Sequence, residues 1–230
     1  MSDIYFLGLD LGTSGLRALL VAEDGQPVGS SEAHYLVSNP HNGWSEQDPR
    51  DWTIACQAAL SSLRETFPNE YRKITAIGVS GHMHGATLLD KTGQVLRPCI
   101  LWNDTRSHVE ASTLDKAKGV QALSGNIVFP GFTAPKLMWV AKEEPFIFAA
   151  VDKVLLPAAY LNFWLTGDIF ADMSDSAGTS WLDVGQRGWS QRLLDASGMM
   201  LSSMPRLVEG SQIGATLSPQ IARLLGLGSD

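Results

Sequence analysis

An acid and a glycine-rich turn stand close together near the start of the chain, in Asp10, Gly12, Thr13, Ser14 and Gly15. Gly12 and Gly15 have no Cβ, so the backbone N–H groups of the turn can approach a bulky anion closely. Thr13 and Ser14 add hydroxyl donors. Asp10 would repel phosphate oxygens unless a divalent cation bridges the two, usually through water. The spacing therefore predicts a corner that binds phosphate and a cation, and the alternative is an ordinary hairpin whose Asp and Gly residues only shape the turn.

Two apolar runs of strand length flank this corner and must position it, from Tyr5 to Leu11 and from Leu16 to Val21. They predict a β-hairpin with both strands buried. After a turn at 23–26, the run from Pro27 to Val37 predicts a third antiparallel strand. The glycine spacing matches neither common phosphate-binding fingerprint, because it lacks the P-loop lysine and no helix is predicted directly after it.

A helix and a further strand follow the hairpin. Asp48 and Pro49 suit the N-cap and first position of a helix, and apolar residues then recur at helical spacing as far as Phe67. The next apolar run, from Ile74 to Ser80, predicts a short strand. Together these elements predict a five-stranded mixed α/β sheet. Ligands gather at the strand ends of such sheets, where Gly81–Gly85 falls.

Two histidines two positions apart, His82 and His84, lie in this glycine-bounded segment. On an extended backbone they would share a face and could bind a metal, but no nearby Cys, Glu or third His completes such a site. The segment is otherwise a loop of hydrogen-bonded histidines, or a polar rim that contacts a hydroxylated ligand.

A predicted strand beginning near Arg97 ends in a second polar cluster, Trp102, Asn103 and Asp104. An apolar ring face beside an amide and a carboxylate is a common way to build a sugar site, since the sugar ring stacks and its hydroxyls pair with the polar groups. The alternative is an Asx turn that caps a helix from about Ser107 to Ala117.

A third helix is predicted within Gly131–Glu143, with Pro135 as its first residue. Lys136 in its first turn opposes the helix dipole. This unfavourable cation indicates an anionic or polar partner, or else a solvated lysine.

The last third of the chain carries no catalytic constellation. It predicts a strand over 153–156, a helix over 158–165 that Gly167 ends, a loop near the ligand over 170–179, and helices over 189–196 and 219–225.

Composition narrows the class of protein. The 230 residues are 44% hydrophobic and 18% charged, with a net charge of −7 and no run of Lys or Arg, which disfavours a nucleic-acid partner. The start, Met1-Ser2-Asp3, predicts no signal peptide, and charged residues interrupt each long apolar stretch, so no membrane role is expected. Cys56 and Cys99 are the only cysteines, and such a low cysteine content fits a protein of the reducing cytoplasm.

Two segments carry a resemblance to a known family. The stretch from Asp10 to Gly15 resembles the first phosphate-binding hairpin of the actin, Hsp70 and sugar-kinase superfamily. Gly131–Glu143 resembles the signature of its FGGY sugar kinases, built around Lys136, Trp139 and the closing acid. The resemblance covers essentially the whole chain. It implies a ribonuclease-H-like α/β domain with a mixed β-sheet flanked by helices, in which 1–230 form the N-terminal, sugar-binding domain.

Within that family, the chain is more similar to the xylulokinases than to the glycerol kinases. The similarity lies in the segments 44–49, 81–85, 101–104 and 172–179, and a glycerol kinase would carry an Arg-Glu pair in place of Met83-His84. It implies ATP-dependent phosphorylation of D-xylulose to D-xylulose 5-phosphate.

The resemblance also implies roles for the candidate residues. Met83 and His84 are expected to contact D-xylulose, with Trp102, Asn103 and Asp104 beside them. Asp10 is expected to hold Mg²⁺ through a water molecule on the catalytic, phosphate side of the site, and Gly12, Thr13 and Ser14 are expected near the phosphates of ATP.

One family feature has no counterpart in the chain. Other members carry a second, C-terminal domain that binds ATP, and a catalytic Asp in a Gly-Asp-Asn segment that accepts the proton of the sugar hydroxyl; Gly228-Ser229-Asp230 does not match it. The chain is therefore expected to be one lobe of a cytoplasmic kinase, inactive alone, with the missing domain as its partner and a homodimer allowed.

Two alternatives stay open at this point. Another pentulose or polyol kinase is one, because a single hydroxyl contact can switch the substrate. A non-catalytic sugar- or nucleotide-binding module is the other.

Overall fold

The computed structural model describes residues 4–228. Its strands are β1 (Tyr5–Leu11), β2 (Gly15–Ala22), β3 (Pro27–His34), β4 (Glu46–Gln47), β5 (Ile74–Gly81), β6 (Thr87–Leu89), β7 (Cys99–Ile100), β8 (Lys153–Leu155), β9 (Phe170–Asp172), β10 (Leu182–Asp183), β11 (Gly188–Trp189) and β12 (Arg206–Val208). Its α-helices are α1 (Pro49–Thr66), α2 (Pro68–Tyr71), α3 (His108–Asp115), α4 (Val120–Ser124), α5 (Thr133–Glu143), α6 (Pro145–Ala150), α7 (Pro157–Thr166), α8 (Met173–Ala177), α9 (Gln191–Ala196) and α10 (Pro219–Leu225).

The main sheet is mixed and has the strand order β3-β2-β1-β5. β1 runs antiparallel to β2 and parallel to β5, so Asp10 lies between Arg17 and Ser80. The prediction of five strands was wrong, because the sheet has four strands among the described residues. The chain turns away after Gly81, and β6 pairs with β8 outside this sheet.

The hairpin strands are buried on one face only, which corrects the expectation that both are buried throughout. Leu7, Leu9 and Leu11 are almost wholly buried, whereas Phe6 on the other face is 40% exposed. Side chains alternate along a strand, and α1 packs on the hairpin from one side.

Helix α1 begins as predicted and ends one residue before the predicted end. The Asp48 side chain accepts a hydrogen bond from the N–H of Arg50, and Pro49 opens the helix. Its apolar face, which includes Trp52 and Leu60, is buried against the hairpin. The predictions of β3, β5, α3, β8, α7 and α10 were also confirmed, with α10 matching the predicted bounds and the others differing at their ends.

Three predictions in the second half need correction. Helix α5 begins at Thr133, so Pro135 is its third residue, not its first. The predicted loop over 170–179 contains β9 and α8, because β9 pairs with the distant β12 and the Asp172 side chain caps α8. The predicted helix at 189–196 starts only at Gln191, since Trp189 belongs to β11.

A second apolar core lies beside the sheet and supports the strand-end loops. It includes Leu88 of β6, Leu137 and Val140 of α5, and Trp181, all almost wholly buried. Within residues 4–228, no helix is both long and apolar enough to cross a membrane.

Candidate functional site

The corner of the β1–β2 hairpin is held from behind by its carbonyl groups. The Gly12 carbonyl accepts from the Tyr35 hydroxyl at 2.6 Å, and the Thr13 carbonyl accepts from Gln47 Nε2 at 2.6 Å. The backbone N–H of Tyr35 donates to the Ser14 carbonyl at 3.3 Å. None of the described residues accepts from the N–H groups of Thr13 or Ser14. These two donors are therefore free to bind an anion.

Gly15 is required where it stands. A Cβ on this residue would lie 2.8 Å from the Ala33 carbonyl oxygen, so any side chain would force β2 and β3 apart. The sequence suggested that Gly15 lets an anion approach the backbone, and the structure shows that it is needed for close pairing of β2 with β3.

Asp10 is the penultimate residue of β1, and its side chain is exposed. Its Oδ1 accepts a hydrogen bond from Ser80 Oγ at 3.2 Å. Although Arg17 lies opposite Asp10 in the register, the guanidinium pairs with Glu32 at 3.5 Å. Burial, and then the charge of Asp10, raise the pKa of Tyr35. The Asp10 carboxylate is therefore near the corner and forms no ion pair among the described residues.

Trp102 joins the second polar cluster to the hairpin corner. Its indole Nε1 donates to Thr13 Oγ1 at 3.1 Å, and 44% of the residue is exposed. The candidate sugar platform and the candidate phosphate corner, which are far apart in sequence, are neighbours in the fold.

The other two members of that cluster point elsewhere. Asn103 is exposed and lines an open surface cavity of about 560 Å³ with the loop 39–45. Asp104 is 1% exposed; it accepts from the N–H of Ser45 at 2.6 Å and from the N–H of Arg106 at 2.9 Å. We therefore remove Asp104 from the expected sugar contacts, since its carboxylate is committed to the Asx turn that was the alternative.

Asp104 belongs to a buried ion network that sequence reasoning missed. Arg106 Nη1 lies 2.7 Å from Glu46 Oε1, and its guanidinium carbon lies 3.6 Å from the centre of the Trp44 ring. Arg97 pairs with the same Glu46 oxygen at 2.5 Å and with Glu144 at 3.1 Å. The network fixes the loop that ends in Trp102. Local sequence patterns could not predict this ion network, because its members come from four separate segments of the chain.

The glycine-bounded segment after β5 forms a tight loop at the same sheet edge. The N–H of His82 donates to the Leu11 carbonyl, and the N–H of Gly85 donates to the Met83 carbonyl, both at 2.8 Å. Met83 is 54% exposed. His84 has a φ of 64°, and its ring packs edge-on against Phe132 with 4.6 Å between ring centres. The loop therefore presents Met83 and His84 beside the corner.

Gly178 makes room for the His84 ring. A Cβ at this position would lie 2.5 Å from His84 Nδ1. The segment 170–179, expected near the ligand, thus lies against the candidate sugar loop. Its Asp175 is a group that sequence reasoning missed: burial, and then the charge of Asp172, raise its pKa to about 7.

The two histidines form no metal site. Among residues 4–228, no group of three or more His, Cys, Asp or Glu side chains is placed to hold a metal ion. His82 packs against Trp52 with ring centres 5.3 Å apart, and within the described chain neither of its buried ring nitrogens has a hydrogen-bond partner. The expectation of hydrogen-bonded histidines was therefore wrong for His82. Burial, and then the charge of Lys136, lower the pKa of both histidines to about 4.

Lys136 is wholly buried, so the interpretation as a solvated lysine was wrong. Its Nζ donates to the carbonyl oxygens of His84 at 3.2 Å, Phe132 at 3.1 Å and Gly131. The polar partner that its position indicated is thus a set of backbone carbonyls. Thr133 Oγ1 donates to the same His84 carbonyl at 3.1 Å.

The sequence matches one protein family over nearly its whole length. Residues 5–230 match the family described as "FGGY family of carbohydrate kinases, N-terminal domain". The xylulose kinases of Klebsiella pneumoniae and Escherichia coli (strain K12) are similar, at 48% identity over 219 residues and 45% over 223. These matches cover 95% and 96% of the chain but 45% and 46% of the relatives, so the chain spans about half the length of the curated relatives it matches.

A solved structure is similar over the same extent. The crystal structure of a xyloylose kinase from Brucella ovis is 56% identical in sequence, with a TM-score of 0.96, and the match covers 98% of this chain and 46% of that one.

Proposed function

The chain belongs to the FGGY family of carbohydrate kinases, and from that membership we propose that it is the sugar-binding lobe of a kinase that converts D-xylulose to D-xylulose 5-phosphate. The fold class expected from the sequence, a ribonuclease-H-like α/β domain with a mixed sheet flanked by helices, is confirmed. We further propose that residues 1–230 are this N-terminal lobe and that a C-terminal, ATP-binding domain completes the protein.

One observation carries the proposal: the hydrogen bond between Trp102 Nε1 and Thr13 Oγ1. Phosphoryl transfer requires a sugar hydroxyl and the terminal phosphate of ATP to meet in line. The Trp102 face offers an apolar surface to a sugar ring, and the Thr13 corner offers free N–H donors to phosphate. Their direct contact supports a single site in which both substrates meet.

Each residue of this lobe then has a task that its surroundings support. The N–H groups of Thr13 and Ser14 donate to phosphate oxygens, and Gly12 lets the backbone approach them. Met83 contributes apolar contact to the sugar, and the neutral His84 ring exchanges a hydrogen bond with a sugar hydroxyl. Trp102 stacks on the sugar ring, and Asn103 lies at the outer rim of the site.

The residues present fit Mg²⁺ held through water and phosphate. Asp10 supplies one exposed carboxylate beside the free N–H donors, which suits a cation that keeps most of its waters. When bound with ATP, Mg²⁺ neutralises negative charge on the phosphates. The residue that accepts the proton of the sugar hydroxyl is assigned to an Asp beyond residue 230. Ser229 and Asp230, which do not match the family's Gly-Asp-Asn segment, lie outside the described residues.

Substrate titration tests the proposal. The chain is titrated by calorimetry with D-xylulose, D-ribulose, glycerol and gluconate under identical conditions. We expect D-xylulose to bind best, because the loop carries Met83-His84 in place of an Arg-Glu pair. Tighter binding of glycerol or gluconate would assign the lobe to another kinase of the family. A cytoplasmic location and a homodimer stay predictions.

A further inference from the structure

His84 has an unusual backbone conformation. Its φ of 64° lies in the left-handed region, which residues other than glycine rarely adopt. Such a conformation persists only where the surrounding structure holds it, and it is most common at functional sites. The contacts that hold His84 therefore decide the direction of its side chain and of Met83 before it.

Two side chains from the first turn of α5 hold the His84 carbonyl. Lys136 Nζ donates to it at 3.2 Å and Thr133 Oγ1 at 3.1 Å. The same ammonium donates to the carbonyls of Gly131 and Phe132. An ammonium has three N–H donors, so these three carbonyls use all of them. Lys136 thus ties the sugar loop to the start of α5.

We propose that Lys136 is a positioning residue for the sugar site, whose ammonium group fixes the backbone of His84 and so aims Met83 and His84 at the sugar. The inference rests on the proposed function, in which these two residues contact the substrate. In this inference, Lys136 acts by holding the sugar loop, and not by binding phosphate or by stabilising α5 alone.

The surroundings of Lys136 favour this role over a role in stability. No carboxylate of the described residues lies within 4.0 Å of its Nζ, and burying an ammonium without such a partner is unfavourable. An apolar side chain at this position would pack at less cost. The group is therefore better explained by the three carbonyls that it orders than by core packing.

The protonation state of Lys136 makes the stability of the sugar loop depend on pH. Burial lowers the pKa of Lys136 to about 7; the Asp104 carboxylate opposes this shift, and the Arg106 guanidinium adds to it. His82 and His84 face the same ammonium and titrate well below it. The neutral amine has two donors for three carbonyls, so the loop should loosen as pH rises through about 7.

The first experiment compares Lys136→Met with Lys153→Met by calorimetry with D-xylulose. Lys153 is a matched control, because its Nζ also donates to a backbone carbonyl, that of Ser202 at 2.5 Å, away from the loop. We expect Lys136→Met to weaken affinity by about ten- to a hundredfold, as for loss of a hydrogen bond from a charged group, and Lys153→Met to leave it unchanged. Wild-type affinity should fall more between pH 6 and 8.5 than the affinity of Lys136→Met, in which Asp175 still titrates near pH 7 beside the loop but Lys136 no longer does. Unchanged affinity in Lys136→Met would overturn the proposal.

Hydrogen exchange of the Gly85 amide is an independent readout, since this N–H donates to the Met83 carbonyl within the loop. Exchange should accelerate in Lys136→Met and not in Lys153→Met. If the wild-type chain binds no D-xylulose, the proposed substrate is wrong, and exchange alone decides the role of Lys136. If Lys136→Met does not fold, the isosteric Thr133→Val removes the other donor to His84, and both faster Gly85 exchange and several-fold weaker binding are expected. Unchanged exchange in the folded variants would overturn the proposal.

Discussion

Trp102 Nε1 donates a hydrogen bond to Thr13 Oγ1 at 3.1 Å, although the two residues are 89 positions apart. Trp102 lies in the loop that the buried ion network of Arg106 holds in place, and Thr13 lies in the corner of the β1–β2 hairpin. The hydrogen bond joins these two parts of the molecule. The sugar platform and the phosphate corner therefore cannot move independently. This contact is the basis of the first prediction.

Replacing Trp102 by Ala should weaken D-xylulose binding by about 1–3 kcal/mol, taking as a guide the range that alanine substitution costs for a nucleobase stacked on an aromatic side chain. Trp102→Phe keeps an apolar ring but loses the bond to Thr13, so it should retain most of the affinity. Calorimetry on the two variants measures the difference. Equal losses would indicate that the hydrogen bond to Thr13, and not the ring face, is what matters for the sugar.

Asp10→Asn should lower turnover of the complete kinase far more than its affinity for sugar. The carboxylate lies at the next-to-last position of β1, beside the corner proposed to bind phosphate, and accepts only from Ser80 Oγ among the described residues. Steady-state kinetics should show a reduced kcat with a nearly unchanged KM for D-xylulose. Parallel losses of kcat and sugar affinity would make Asp10 a structural residue.

His84→Ala should weaken D-xylulose binding by about 1–3 kcal/mol, because a buried sugar hydroxyl would lose its hydrogen-bond partner. His108→Ala is the control, since His108 begins α3 and its Nδ1 lies 3.3 Å from the Thr105 carbonyl, outside the loop. Far-UV circular dichroism should confirm that both variants fold. Unchanged affinity in a folded His84→Ala variant would remove His84 from the site.

Acid should destabilise the lobe through His82. The pKa of His82 is about 4 in the folded chain, whereas an exposed histidine in the unfolded chain has a pKa of 6.5. Between pH 4 and pH 6.5 the unfolded chain therefore binds more protons than the folded chain. The contribution of the neutral ring is therefore present above pH 6.5 and is lost as pH falls towards 4. At pH 5 the loss should be about 2 kcal/mol or less.

Urea unfolding at pH 7 and pH 5 measures this loss in the wild type and in His82→Phe, which keeps a ring against Trp52 but cannot titrate. His84 and Asp175 also titrate with shifted pKa values, but they are common to both proteins, so the difference between the proteins isolates His82. The free energy of unfolding should fall more in the wild type. An equal fall in both would contradict a buried, neutral His82.

The chain alone should not phosphorylate D-xylulose. Positioning and electrostatic stabilisation supply nearly all of the catalysis of phosphoryl transfer, and loss of a general base alone typically costs about 10²–10⁴-fold. A coupled ADP-release assay with ATP, Mg²⁺ and D-xylulose measures this. Turnover near the usual range of kinases, about 1–100 s⁻¹, would mean that a base within these residues has been missed.

Elements with strong local signals were predictable. The hairpin follows from two apolar runs around a glycine-rich turn, and α1 from the capping Asp48 and from Pro49 in its first turn, while α10 matches the predicted bounds. These signals act over a few residues, so the local sequence is enough to place them. The number of strands in the main sheet was not predictable in this way, because pairing of β6 with β8 depends on how the chain leaves Gly81.

The sequence by itself determined the glycine-rich corner at Asp10 to Gly15 and the loop with Met83 and His84 through local spacing, and the family through the resemblance of the segments 10–15 and 131–143. Only the tertiary structure decided which of these polar groups are buried and bonded within the chain and which stay free to bind. The sequence left Asp104 as a sugar contact or an Asx turn, and Lys136 as a solvated lysine or one with a polar partner. Both are buried by segments distant in the chain, Asp104 in an ion network and Lys136 among three carbonyls. Burial and hydrogen-bond partners depend on long-range packing, which no short window of sequence contains.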